Sequence, residues 1–80
     1  MNKAKLKALV RERGGVRELA DKLGWHRNRV QDLLRGNFEP NRAEIVKIAK
    51  ALRMRQYEFT EIFFPELLDA RLRYWDVDYG

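Results

Sequence analysis

The chain contains no cysteine and no serine. The first absence excludes disulfides, thiolate metal sites and thiol nucleophiles. The second removes the commonest hydroxyl nucleophile. Thr60 is the only hydroxyl outside the tyrosines, and His26 is the only imidazole. Neither a Ser/Cys–His nucleophilic device nor a multi-histidine metal site can therefore be assembled. Long apolar runs are missing too. The longest are triplets such as Ile62-Phe63-Phe64, closed by Pro65, far short of the ~20 residues a membrane span needs. The opening stretch MNKAKLKALVRERGG carries a charge every few positions, unlike a secretory signal. A cytoplasmic protein without a membrane partner is expected. With two prolines there is no Pro-rich linker, and no internal repeat interrupts the 80 residues. One domain of this size buries only about 60–65% of its unfolded surface. It leaves little room for a substrate pocket of roughly 300–1,000 Å³. A binding module is expected, not an enzyme.

What is abundant is charge, and its placement is uneven. Residues 1–36 hold ten Lys/Arg against four Asp/Glu, and residues 37–56 hold five against two. Residues 57–80 reverse the balance, with two basic and six acidic side chains. The formal net charge is +5. A polyanion would be drawn to the first two-thirds and repelled by the last third.

Hydrophobic spacing predicts helices throughout, hence an all-α class. Leu6, Leu9 and Val10 mark one face of a helix over residues 2–13, stopped by Gly14-Gly15. Lys3, Lys5 and Lys7 belong either to its solvated face or to a basic arm. A second helix is predicted over 16–23, capped by Gly15, with Val16, Leu19, Ala20 and Leu23 inward and Gly24 as a left-handed stop. A third follows over 27–35, with His26 as N-cap, Val30, Leu33 and Leu34 inward, and Gly36 at its end. Asn41-x-x-Glu44 resembles a capping box and opens a fourth over 42–53, with Ile45, Ile48, Ala49 and Leu52 buried. A fifth covers 56–63 with Phe59, Ile62 and Phe63 inward. Pro65 fits the first position of a sixth, running to Trp75.

The second and third helices, joined by a glycine-containing turn, form a helix-turn-helix unit. Ala20 is the small residue at the crossing, Gly24 the residue tolerant of positive φ, and Val30 and Leu33 the docking side chains. This register, Leu19-Ala20-x-x-Leu23-Gly24 with Val30, Leu33 and Arg35-Gly36, continues into Asn41-x-x-x-Ile45-x-x-Ile48-Ala49-x-Ala51-Leu52. It resembles the Xre-type, phage-repressor and Cro-like helix-turn-helix regulators over residues 4–64. The resemblance implies a five-helix λ-repressor-like domain at 1–64, with the third helix in the DNA major groove. An extra C-terminal helix and tail would occupy 65–80. Val16 stands where the family often has Gln or Ser holding a phosphate, His26 where Ser or Thr caps the helix, Trp25 where a small aliphatic is usual, and Leu34 where a polar residue is common.

The matching positions supply candidate roles. Arg27 and Asn28 open the reading helix, suited to guanine O6/N7 and adenine N6/N7 respectively. One turn on, Gln31 or Asp32 should reach a base; alternatively Asp32 pairs with Arg29 or Arg35. Arg17, Arg29, Arg35, Asn37 and Arg42 are expected on phosphates, which position the protein without specifying sequence. His26 is a further phosphate candidate, although capping or packing suits it better, and Trp25 is expected in the core. Phe64, Leu67, Leu68, Leu72 and Trp75 exceed what a five-helix core can absorb and suggest a homodimer interface. The resulting expectation is a double-stranded-DNA-binding regulator, most simply a repressor, dimeric on an inverted repeat. The alternative is an interaction module, antitoxin-like or adaptor-like, that docks a partner through the apolar C-terminal helix. No effector domain, small-molecule ligand, cofactor or metal is expected.

Overall fold

The computed structural model describes residues 1–67. Five helices follow one another: α1 (Lys3–Glu12), α2 (Gly15–Leu23), α3 (Arg27–Arg35), α4 (Arg42–Ala51) and α5 (Gln56–Phe63). Residues 65–67 form a further helical turn, and no strand occurs among the described residues. The all-α, five-helix expectation holds. Most of the expected sixth helix, with Leu68, Leu72 and Trp75, lies outside the described residues.

Local chemistry sets the helix ends. Asn2 caps α1 by accepting the Lys5 N–H at 3.1 Å, so Lys3, Lys5 and Lys7 are helical residues, and Lys5 lies 3.4 Å from Glu61. Gly14, not Gly15, is the N-cap of α2. The Asn41–Glu44 capping box at α4 is complete: each backbone N–H is accepted by the other's side chain, at 2.9 and 2.8 Å. α4 ends at Ala51, two residues before the expected stop. There the Met54 N–H bonds Ala49 O at 2.9 Å and the Arg53 N–H bonds Lys50 O at 3.2 Å. Arg53 between them takes a left-handed φ of 52°, a position usually given to glycine.

The core is assembled from one face of each helix. Leu6, Val30, Leu33, Ile48 and Ile62 are fully buried, with Leu9, Val10, Leu19, Leu23, Leu34, Leu52 and Phe63 beside them. Each such side chain contributes about 1.5–3 kcal/mol relative to exposure. Ile45, Ala49 and Phe59, expected inside, are only half-buried. In α4, Ile48 alone is buried.

An ion pair that spacing does not announce closes the fold. The Arg13 guanidinium donates to both oxygens of Glu58, Nη1 to Oε1 at 3.1 Å and Nη2 to Oε2 at 2.7 Å. Nη1 also donates to the carbonyls of Leu52 and Arg53 at 3.0 and 3.2 Å. One residue thereby ties the end of α1 to the end of α4 and the start of α5. Glu58 also accepts the Arg55 N–H at 2.9 Å. That bond first, and Arg13 second, hold its carboxyl below the ordinary 4.5, against an opposing push from burial. A carboxylate whose folded pKa is depressed adds stability that is present above the unfolded value and is lost as pH falls through the folded one. The melting temperature should therefore be flat from neutrality down to about pH 5 and fall below it. Glu58→Gln should lower the neutral-pH midpoint and flatten this acid limb, as followed by circular dichroism.

Candidate nucleic-acid interface

The turn between α2 and α3 is built by backbone hydrogen bonds. Gly24 adopts φ 71°. Its N–H reaches Asp21 O at 3.3 Å, and the next N–H, from Trp25, reaches back to Ala20 O at 2.9 Å. This double closure is a Schellman motif. A Cβ at Gly24 would meet nothing within 4 Å, so the demand for glycine comes from the backbone alone. Ala20, 2% exposed, lies in the core beneath the turn.

His26 caps α3 as expected: its Nδ1 accepts the Asn28 N–H at 3.1 Å. An accepting Nδ1 leaves the proton of the neutral ring on Nε2, so the exposed edge presents an N–H donor. α3 turns Val30, Leu33 and Leu34 inward. It leaves Arg27, Asn28, Arg29, Gln31 and Arg35 exposed, with Asp32 half-buried at the rim. Asp32 Oδ1 accepts from Asn37 Nδ2 at 3.2 Å and lies 3.8 Å from Arg35 Nη1. It thus holds Arg35 and Asn37, the arrangement foreseen as its alternative role for Arg35.

Around the start of α3, Arg17, His26 and Arg27 line one surface cleft of about 370 Å³, together with Ala20, Asp21 and Trp25. Three donor-bearing side chains facing one lone acid make this an anion-attracting concavity. At the other end of α3, Gly36 repeats the left-handed closure, the Asn37 N–H bonding Asp32 O at 2.9 Å. Asn37 and Arg42 are exposed on either side of Phe38, which packs against the core.

Arg29, exposed like its neighbours, is also tied to three other side chains. Its Nη2 bonds Glu44 Oε2 at 2.5 Å. Its guanidinium carbon lies 4.5 Å from the Trp25 ring centroid and 4.8 Å from that of Phe38. The two rings are 6.2 Å apart and inclined at 56°, so the cation sits in the mouth of a V. Glu44 is held below the ordinary carboxylate pKa of 4.5, first by the Asn41 backbone N–H and then by Arg29, with desolvation opposing. Sequence reasoning gave Phe38 and Glu44 no place here. Trp25 lies in the turn before α3 and Phe38 in the loop after it, so no helical spacing links either ring to Arg29.

Of the expected self-association residues, Phe64 is half-buried against Phe59, ring centroids 5.8 Å apart, and Leu67 is 52% exposed. Leu68, Leu72 and Trp75 lie outside the described residues. Among the described residues no group of acidic and histidine side chains could hold a metal ion, and no helix is long and apolar enough to cross a membrane.

Compared with known families, residues 6–55 match the family described as helix-turn-helix. No curated protein and no solved structure matches the chain.

Proposed function

From the premise that the chain belongs to the helix-turn-helix family of Xre- and Cro-like DNA-binding regulators, we propose that it is a sequence-specific transcriptional repressor. It inserts α3 into the major groove and binds an inverted repeat as a dimer. The observation that carries this reading is the polar outer face of α3, seated on a fully buried inner face. Arg27, Asn28 and Gln31 read base edges, joined by Asp32 through the carboxylate oxygen that Asn37 does not use. Arg17, His26, Arg35, Asn37 and Arg42 hold phosphates on either side. Dimerisation uses the C-terminal third, where Tyr57 and Leu67 leave large apolar surface in solvent and whose sequence also carries Phe64, Leu68, Leu72 and Trp75. A two-fold pair sets half-sites about 34–36 Å apart. The reading assigns the chain no catalysis and no cofactor, and a cytoplasmic location.

Selection from a randomised duplex library, followed by gel shift, tests it. Arg27→Ala should relax preference at one base pair by about 1–3 kcal/mol, the worth of one bidentate contact. Arg42→Ala should weaken all duplexes alike and reduce the salt slope by about 1. A library from which no sequence is enriched would overturn sequence-specific reading.

A further inference from the structure

We infer that Arg29 is a positioning residue for DNA reading, its guanidinium locking the base-reading helix to the phosphate-holding loop through Trp25, Phe38 and Glu44. The inference rests on the reading above and refines it, since Arg29, exposed on α3, is bound to Glu44 and lies against two rings. Its contacts tie α3 to three other segments at once. Trp25 belongs to the turn before α3, Phe38 to the loop after it, and Glu44 to the first turn of α4. The other oxygen of Glu44 takes the Asn41 N–H, so the same carboxylate closes the α4 cap and receives the cation.

These ties bracket the functional side chains. Arg27 and Asn28 lie between Trp25 and Arg29, Asn37 directly before Phe38, and Arg42 two residues before Glu44. A cation fixed at both rings and at the carboxylate sets the distance from base readers to phosphate anchors. Without it each phosphate contact is still available, but no longer in register with the base contacts. Sequence discrimination falls while non-specific binding persists. A guanidinium suits this place because its plane can lie against an aromatic ring while an edge N–H reaches the carboxylate; an ammonium keeps the charge but has no plane to stack.

The test uses the full chain, the best duplex from the selection and a scrambled duplex, each titrated with KCl. Arg29→Lys, Glu44→Gln and Phe38→Leu should each lower the ratio of selected to scrambled affinity by about fivefold or more, the size of one lost base contact. Arg29→Met should do the same and leave the salt slope unchanged. In a Trp75→Phe background, Arg29→Met should also shift the Trp25 fluorescence without DNA. The inference is overturned if Arg29→Lys keeps the wild-type ratio, or if Arg29→Met lowers the slope by about 0.9 per domain with the ratio intact, the signature of a direct phosphate contact. A wild-type chain that prefers no duplex is a different result: it removes the DNA-reading function itself, and this inference with it. The Glu44 side chain is 20% exposed and that of Arg29 48%, so the variants should stay folded, as circular dichroism checks. Should Arg29→Met unfold, Phe38→Leu and Glu44→Gln decide the question.

Discussion

Raising KCl from about 50 to about 200 mM should weaken binding to the selected duplex by about 2,000-fold if two copies occupy it, and by about 40-fold if one does. The expectation follows from counting cations. Arg17, Arg35 and Arg42 are exposed and assigned to phosphates, while Arg29 is committed to Glu44 and two rings. Each phosphate neutralised contributes about 0.9 to the logarithmic salt slope on B-form DNA. Three per domain give a slope near −3, and two domains a slope near −5. Three lysines are left out of the count because each has a contact of its own. Lys5 faces Glu61, Lys22 faces Glu18, and Lys47 donates to the Leu23 carbonyl at 3.2 Å. Fluorescence anisotropy across the salt range reads the slope directly. A slope near zero would remove the phosphate assignments as a group, whereas a slope near −3 would remove the dimer and leave the interface.

Much of this interface was legible in the chain because its signals are short-range. Gly24 and Gly36 announce left-handed helix stops, Asn41 and Glu44 a capping box, and the three-and-four spacing of Val30, Leu33 and Leu34 the buried side of α3. Each is a constraint within one or two turns, and each is found in the structure. The misreadings share an opposite cause. Arg13 and Glu58 are 45 positions apart, and nothing near either residue predicts that they pair. Arg53 adopts a conformation that glycine normally signals, so the end of α4 carried no local mark. Arg29 reads as one more exposed cation until the fold brings Phe38 and Glu44 beside it. Ile45 and Ala49 kept the spacing of a buried face, yet α4 sinks only Ile48, since half-burial depends on how neighbouring helices lie rather than on period.

Leu33 and Gln31 separate the two jobs proposed for one helix. Leu33 has no exposed surface and packs on the core from the inner face of α3. Truncation to Ala removes its transfer energy and leaves a cavity, costing about 2–5 kcal/mol. A domain of this length has only about 4–12 kcal/mol in total, at 0.05–0.15 per residue. Each kcal/mol shifts the midpoint of a small domain by about 4–8 °C, so Leu33→Ala should melt about 10–30 °C lower and bind DNA only in proportion to its folded fraction. Gln31 is exposed two residues away. Its replacement by Ala touches no core contact and should change stability by less than about 0.5 kcal/mol, while the selected duplex loses affinity relative to the scrambled one. Thermal melts and competition binding on the two variants give opposite patterns if α3 is anchored by one face and reads with the other. Equal destabilisation by both would mean that the outer face is packed against protein. In that case α3 has no surface left for a groove.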